Sequence, residues 1–230
     1  MSSAPTSTDG QPLGRRGVQT RQRILEALAQ AIEQHGLRGL RLADIADEVG
    51  FSPPAFYQYF VDLDEAILTL CHEVGELVPR FELDATGLDV EHPQGTQPFV
   101  ERFFAYWDEH RQLLWARNVS ITAGDDRFRD VRNDTITPMV EGLRETIRAG
   151  QQAGRIDPAV SPVALGAVLT VMLDRISMLA PELSPEWSAA DRKALVPAVA
   201  YVFDQVLGIE RAEPGATPAR KRAAPRRRST

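Results

Sequence analysis

The sequence predicts an all-α fold of about nine helices, arranged as an N-terminal three-helix unit followed by a larger helical unit. Apolar residues recur at helical spacing through most of the 230 residues. No segment alternates Val, Ile or Thr with polar residues over a length that would indicate a strand. Gly and Pro separate the helical segments, so their positions define the expected boundaries of the elements.

The composition is that of a globular protein in a reducing compartment. Hydrophobic residues make up 43% of the chain and charged residues 25%, which is enough apolar material for a core. The single cysteine, Cys71, excludes an intrachain disulfide, and we expect a cytoplasmic protein. The most apolar run, 163–180, is interrupted by Asp174 and Arg175, and the N-terminus has no apolar stretch. Neither a membrane span nor an export signal is therefore expected.

Composition divides the chain into four segments. Residues 1–14 and 211–230 are rich in Pro, Ser, Gly and Ala without apolar periodicity, which predicts disorder. Although the net charge is −6, residues 211–230 carry seven basic groups and one acid. This basic tail would either add non-specific affinity for nucleic acid or be a solvated terminus without a dedicated role. The two folded units between the tails are predicted over 15–62 and 63–210.

The first helix is predicted over 20–35. Ile24, Leu28 and Ile32 share one face, Thr20 can cap the N-terminus and Gly36 can end the helix. After the next two helices, further helices are predicted at 62–79, 98–109, 111–123, 126–153, 161–180 and 188–209. The helix over 62–79 would join the two units.

Residues 40–60, LRLADIADEVGFSPPAFYQYF, have the form of a helix-turn-helix. Gly50 supplies the backbone freedom of the turn, and Ser52 can cap the exposed N–H groups of the third helix. Pro54 disfavours helical angles at Pro53, so the third helix is expected to start at Pro54. With its aromatic residues packed inward, the opposite face of this helix would enter a DNA major groove.

One segment resembles the DNA-binding domain of the TetR family: QTRQRILEALAQAIEQHGLRGLRLADIADEVGFSPPAFYQYFVDLDEAIL. The resemblance rests on the TRxRIL opening, the DIA of the second helix, the GxS turn and FYxYF. More weakly, MLDR at 172–175 and its apolar flanks resemble the ethionamide-activator repressors. Membership would imply a transcriptional repressor with a DNA-binding domain at 15–62 and an effector-binding and dimerisation domain at 63–210. It would bind a palindromic operator as a homodimer, respond to a small apolar effector and need no cofactor.

The expected DNA contacts combine base-edge, phosphate and basic-arm residues. Gln58 can pair with adenine, Ala55 and the prolines can touch thymine methyl groups, and the Tyr57 hydroxyl can reach a phosphate. The candidate DNA-binding residues are Arg15, Arg16, Arg21, Arg41, Ser52, Pro53, Pro54, Ala55, Tyr57, Gln58 and Tyr59.

Three positions depart from the usual family pattern. Arg41 stands where a Thr or Ser usually caps the second helix, Pro53 replaces a polar or basic residue, and Leu63 replaces a phosphate-binding Lys. The loss of two common DNA contacts predicts weaker or more salt-sensitive binding.

Aromatic and apolar side chains of the second unit are candidates for a ligand pocket. A stripe of this kind is often only packing, whereas the family architecture implies that some of its members line a cavity between helices. Asn118, Asn133 and Thr170 are candidate polar anchors. The candidate pocket residues are Phe99, Phe103, Phe104, Trp107, Trp115, Asn118, Asn133, Met139, Leu143, Thr170, Met172 and Leu173.

The last two predicted helices carry heavy apolar stripes. Such helices could form a four-helix interface with a second copy, or an intrachain core. The candidate dimer residues are Ile176, Leu179, Leu195, Val199, Val202, Phe203 and Val206.

Catalytic and metal-binding motifs are not expected. The four histidines are scattered, and the sequence has no nucleophile elbow or phosphate-cradling loop. The pair Asp125 and Asp126 is expected to cap a helix. Two alternatives to a ligand-responsive repressor remain. One is an activator or a regulator without a ligand, and the other is an architectural DNA binder that depends on the basic tail.

Overall fold

The computed structural model describes residues 5–36, 40–50, 52–81, 95–180 and 189–209. Within these residues the protein is all-α, with a single isolated β-bridge between Thr6 and Pro12. The helices are α1 Arg15–His35, α2 Leu42–Val49, α3 Pro53–Phe56, α4 Leu63–Gly75, α5 Gln97–Glu109, α6 Arg111–Thr122, α7 Asp126–Gln152, α8 Pro162–Leu179 and α9 Ala189–Leu207. The predicted fold class is confirmed, and the predicted basic tail at 211–230 lies outside the described residues.

Helices α1 to α4 form a small apolar head. The stripe predicted for α1 is buried, and Ile24, Leu28 and Ile32 have no exposed surface. Phe56 and Phe60 pack beside this stripe with ring centroids 5.4 Å apart. The same cluster includes Leu113 of α6 and Phe128 of α7, so the head core continues into the second unit. Burial of this apolar surface is the main source of stability for the short helices α2 and α3.

The second core is built around the aromatic face of α5. Phe99 packs edge-on against Phe81 with centroids 4.8 Å apart and lies 6.3 Å from Phe203 of α9. Helices α7 and α8 pack along each other beneath this face. At Gly142 in α7, an added Cβ would collide with the backbone carbonyl of Phe81, so the close approach of the chain requires glycine there.

Helix α8 has the length and composition of a membrane-spanning segment. Its inner face packs on α7 and carries the buried carboxylate of Asp174 together with the buried residue Ser177. Carboxylates are rarely buried in proteins unless they are paired, and Asp174 Oδ2 lies 3.9 Å from a guanidinium nitrogen of Arg132 on α7.

Two helix starts and one helix end differ from the predictions. Helix α1 begins at Arg15 rather than Thr20, and the Thr20 hydroxyl bonds the carbonyl of Arg16 inside the helix. Helix α3 begins at Pro53, since Pro is compatible with a first helical turn. Helix α4 ends at Gly75, before Pro79, because its last residues tighten into a turn.

Residues 5–14 form a bonded turn where composition predicted disorder. The Leu13 N–H donates to the Pro5 carbonyl at 3.0 Å, and Ser7 and Gln11 exchange further hydrogen bonds. The turn packs on the head, so tertiary contacts order a segment whose own sequence has little apolar content.

Candidate functional site

The α2–turn–α3 segment has the geometry of a helix-turn-helix. Gly50 adopts the left-handed conformation, with φ 74° and ψ 39°, and its N–H donates to the Ala46 carbonyl at 2.9 Å. A side chain with a Cβ is strained at such a φ, which explains the glycine in the turn. The expected side-chain cap at Ser52 is absent from the described hydrogen bonds of α3.

The outer face of α3 and the turn after it offer contacts to an external partner. Phe56 and Phe60 have no exposed surface, whereas Tyr57 is 53% exposed. Gln58 is also exposed, as are Ser52, Pro53 and Pro54, whereas Ala55 is half-buried. Tyr59 is half-buried and packs against the head core, so it is less available than predicted.

Of the four predicted basic contacts, Arg21 is engaged within the head. Its guanidinium carbon lies 4.7 Å from the centroid of the Phe60 ring, and one nitrogen donates to the Thr69 hydroxyl at 3.4 Å. Arg15 and Arg16 are exposed on the first turn of α1, and Arg41 is exposed before α2. Arg21 therefore links α1 to Phe60, in the segment after α3, and to α4, while the other three remain accessible to phosphates.

The N-terminal turn, residues 5–14, forms hydrogen bonds with the residues that follow α3. The Thr8 hydroxyl donates to the Tyr57 carbonyl at 2.9 Å, and the Thr8 N–H donates to the Gln58 carbonyl at 3.1 Å. These carbonyls follow a four-residue helix and have no next turn to pair with. The sequence analysis missed this contact, because nothing in a Ser/Thr-rich terminus indicates which carbonyls it will reach.

Most of the predicted pocket residues lie in the packed core around α5. The Thr170 hydroxyl is satisfied by the Gly166 carbonyl at 2.8 Å, Asn133 is exposed and Met172 is half-buried. The buried apolar members of the prediction are Phe99, Phe103, Phe104, Trp107, Met139, Leu143 and Leu173.

Trp115 and Asn118 instead line a pair of adjoining cavities between α6 and α8. One has a volume of about 400 Å³, and its walls are mainly apolar, with Trp115, Val119 and Met178. The other has a volume of about 210 Å³ and reaches Asp174 and α7. Asn118, Thr122, Arg175 and Met178 belong to both, so the two form a continuous concavity, which we call the α6–α8 cavity.

Buried polar side chains lie on the helices α4, α5, α6 and α8. Arg117 of α6 is 2% exposed, and its Nε donates to the Asn118 amide oxygen at 3.4 Å. Asp174 Oδ2 lies 3.9 Å from a guanidinium nitrogen of Arg132. Burial raises the pKa of Tyr106 and of Cys71, each to about 12, and in both cases the nearby Arg117 opposes the rise. Both groups are therefore neutral at physiological pH.

Sequence reasoning missed these polar residues. Arg117 lies three positions after Leu114 and four before Ile121, on the apolar stripe of α6. This spacing could have predicted that Arg117 is buried. Within the described residues, no group of three or more His, Cys, Asp or Glu side chains is placed to hold a metal ion.

Two family profiles match the chain. One, described as the tetracyclin repressor-like C-terminal domain, matches residues 91–212, and the other, described as bacterial regulatory proteins of the tetR family, matches residues 24–65. This chain belongs to the TetR family. It is accordingly a DNA-binding transcriptional regulator, and α2 and α3 are the helix-turn-helix by which the family binds DNA.

A sequence relative supports the assignment. This TetR-family chain is 29% identical over 103 residues to the uncharacterized HTH-type transcriptional regulator YdgC of Bacillus subtilis. The match covers 43% of the chain, which spans about half, 52%, of that relative's length.

Solved structures share the fold of this TetR-family chain at low sequence identity. GusR of Salmonella enterica is 19% identical with a TM-score of 0.60, and the match covers 85% of this chain and 98% of GusR. FadR of Bacillus subtilis, solved in complex with stearoyl-CoA, is 16% identical with a TM-score of 0.58, covering 80% of this chain and 98% of FadR.

The residues predicted for a dimer interface divide into two groups in this TetR-family chain. Val199 and Phe203 are buried in the intrachain core, and that part of the prediction is wrong because α9 turns this face toward α5. Val202 is 38% exposed, and the others are half-buried: Ile176, Leu179, Leu195 and Val206. The outer surfaces of α8 and α9 carry exposed apolar side chains that the prediction did not include: Val163, Val168, Val171 and Tyr201.

Proposed function

We propose that this TetR-family chain is a ligand-responsive repressor that acts by binding rather than catalysis. Its dimer would hold two recognition helices on a palindromic operator and release the DNA when a small, largely apolar molecule enters the C-terminal domain. The contacts of α6 carry this proposal, because that helix belongs both to the head and to the α6–α8 cavity.

One face of α6 packs into the head core. Leu113 is buried there with residues of α1 and α4, and Ile121 packs against the same cluster. Another face carries Trp115 and Asn118 into the cavity wall. A ligand that pushes α6 away from α8 would therefore press on α1 and α4.

Helix α4 would transmit the same movement to the head. At Gly75 an added Cβ would collide with the Thr135 hydroxyl, so α4 and α7 are in close contact there and α4 cannot move independently of α7. Close-packed interiors deform little and tend to shift between discrete arrangements. To move a population from 1:99 to 99:1, the ligand must prefer the non-binding conformer by about 10⁴-fold.

Dimerisation supplies the operator geometry. The exposed apolar residues of α8 and α9 offer a surface for a four-helix interface with a second copy, as a two-fold dimer requires. Its recognition helices would match half-sites separated by about 34–36 Å or a multiple of that distance. The stearoyl-CoA complex of FadR supports ligand binding as a role for this fold.

The first experiment is footprinting on the DNA upstream of the protein's own reading frame, followed by fluorescence anisotropy on the protected palindrome. We expect a discrete footprint, and a ligand that binds the C-terminal domain should lower operator affinity. A Gln58→Ala variant is the matched control, because it should bind ligand normally and DNA poorly. If ligands bind the domain and operator affinity never changes, the induction mechanism is wrong.

Deleting residues 212–230 separates this proposal from an architectural binder. A sequence-specific repressor keeps its footprint without the basic tail, whereas an architectural protein loses most of its affinity. A reporter driven by the footprinted promoter distinguishes repression from activation, because loss of the protein raises expression only under repression.

A further inference from the structure

We infer that the N-terminal turn, residues 5–14, is part of the DNA-binding surface and lies against the sugar–phosphate backbone beside the major groove that α3 enters. This role extends the DNA interface beyond the helix-turn-helix, and it does not depend on whether the protein responds to a ligand. The contacts of the turn with the end of α3, its junction with α1 and its free polar side chains all support the role.

The turn is attached to the backbone of the two residues that follow α3. The Thr8 N–H donates to the Gln58 carbonyl at 3.1 Å, and the Thr8 hydroxyl donates to the Tyr57 carbonyl at 2.9 Å. Tyr57 is 53% exposed and Gln58 is exposed, so both side chains are accessible to a partner outside the head. A duplex that contacts these two side chains therefore also comes close to the turn.

The width of the major groove determines where the turn lies. The groove is about 12 Å wide, and an α-helix with its side chains has a diameter of about 10–12 Å. A second segment in direct contact with the end of α3 does not fit into the groove beside it. The turn is therefore placed at the edge of the groove, where the phosphates of one strand form the wall.

The other end of the turn leads into exposed basic residues. Leu13 lies against the first turn of α1, since a Cβ added at Gly17 would be 3.2 Å from the Leu13 side chain. Arg15 and Arg16 are exposed there, and the first turn of α1 has no acidic residue. The turn thus connects the end of α3 with a positively charged surface, which favours the phosphate backbone as its partner.

The turn is held in shape by its own hydrogen bonds. The Ser7 N–H donates to the Gln11 carbonyl at 2.8 Å, and the Gly10 N–H donates to the Ser7 carbonyl at 2.9 Å. The Leu13 N–H donates to the Pro5 carbonyl at 3.0 Å and closes the base of the turn. A preformed surface loses less conformational entropy on binding than a flexible arm does.

Two exposed side chains of the turn are free for contacts with DNA. Gln11 forms its hydrogen bonds to Ser7 through its backbone, and no described hydrogen bond uses its side-chain amide. Asp9 is exposed at the tip of the turn, next to Gly10. An amide group can donate to a phosphate oxygen, whereas a carboxylate is repelled by phosphates. Gln11 is therefore the expected contact, and Asp9 limits the affinity.

The direct test attaches a DNA-cleaving group to the turn of the full-length protein. In an Asp9→Cys variant, iron–EDTA is coupled to the introduced thiol, and Cys71 should not react because it is 1% exposed. On the footprinted operator we expect backbone cleavage at the edge of each half-site. Glu145→Cys, at an exposed residue of α7, carries the same group as the control and should give no localised cleavage. No localised cleavage from position 9 would overturn the inference.

Charge reversal at the tip measures the same proximity without a known operator. Asp9→Lys replaces a repulsive charge by an attractive one, so affinity for an arbitrary duplex of about 30 base pairs should rise about threefold or more at low salt. The slope of log K against log salt concentration should steepen by about one. Glu145→Lys makes the same change in net charge and is the matched control. Equal gains in both variants would assign the effect to net charge and overturn the inference.

Gln11→Ala tests the expected phosphate contact. We expect affinity to fall by a similar factor on the operator and on the arbitrary duplex, about twofold to fivefold, because a phosphate contact carries no sequence information. Urea melts should be unchanged, since the side-chain amide of Gln11 forms no described hydrogen bond. Unchanged affinity on both duplexes would overturn this contact.

Discussion

The head and the C-terminal domain of this protein use their interiors in opposite ways. In the head, α1 to α4 bury a continuous apolar cluster, and the side chains suited to contact DNA lie outside it on α3. The C-terminal domain buries an aromatic core and also the charged residues Arg117 and Asp174, and several of its buried donors have no partner in the described structure. The head therefore exposes its candidate contact residues, whereas the C-terminal domain keeps many of its polar groups inside.

We attribute the difference to how each of the two proposed partners approaches. A duplex is too large to enter a protein and must be met by exposed groups on a rigid support. A small ligand is enclosed, so its polar contacts are buried before it arrives and cost free energy while they are empty. Buried unpaired polar groups are therefore more informative about function than buried apolar ones.

The largest effect should come from removing an aromatic anchor of the head. Phe56→Ala is expected to lower the free energy of unfolding by about 3–5 kcal/mol, because it leaves a cavity beside Phe60 and removes the support of α3. Urea denaturation measures the loss, and operator binding should disappear with it. Tyr57→Phe, at an exposed neighbour, is the control and should leave stability unchanged.

The C-terminal domain should respond in the opposite sense. Arg117→Met is expected to raise the free energy of unfolding by about 1–4 kcal/mol, since an apolar side chain of similar length replaces a buried cation that forms no ion pair with the described residues. Thermal and urea melts test this, with Arg148→Met as the control. A large destabilisation would mean that Arg117 has a structural partner and that the contrast between the two interiors is wrong.

A change on the reading face should alter affinity without altering stability. Gln58→Ala removes a side chain that can pair with adenine, and it is expected to weaken operator binding by about 1–3 kcal/mol. Anisotropy on the footprinted operator and on a sequence-scrambled duplex measures the loss. An equal loss on both duplexes would show that this residue contacts phosphate instead of a base.

The N-terminal turn should contribute less. Thr8→Val removes the hydroxyl that donates to the Tyr57 carbonyl but keeps the backbone bond to Gln58. We expect a loss of about 0.5–1.5 kcal/mol in stability, with a parallel fall in operator affinity. Ser7→Ala, whose hydroxyl bonds only within the turn, is the matched control. Equal effects of both variants would mean that the turn acts only through its own folding.

The smallest effect should appear at alkaline pH and originate beside Arg117. Burial raises the pKa of Cys71 from 9.0 to about 12, so above pH 9 the unfolded chain loses this proton and the native protein keeps it. The unfolded state then binds fewer protons, and stability falls as pH rises, by about 1 kcal/mol at pH 9.5. Urea melts between pH 8 and pH 9.5 measure the slope. Cys71→Ala should flatten it, and an unchanged slope would assign it to other groups.

Most of the helical architecture could be predicted from local sequence patterns. The starts and ends of α5 to α9 fall within two residues of the predicted bounds, because Gly and Pro flank strongly periodic segments. Two errors are larger. At the start of α1 the prediction took Thr20 as the cap, whereas the helix begins directly after Gly14, and at the end of α4 the last residues tighten into a turn. The glycine of the DNA-reading turn was also predictable, since a left-handed residue there requires it.

The features of the candidate sites also divide into those that local sequence predicts and those that depend on tertiary contacts. By itself the sequence determined the fold class, the helix-turn-helix and the exposed outer face of α3, because helical periodicity and turn chemistry are local properties. Only the tertiary structure decided that Thr8 hydrogen-bonds to the carbonyls after α3, that Arg21 turns back onto Phe60, that Val199 and Phe203 belong to the intrachain core, and that Arg117 is buried. Each of these depends on which helices meet and at what distance, and burial and charge pairing are properties of that meeting rather than of any one segment.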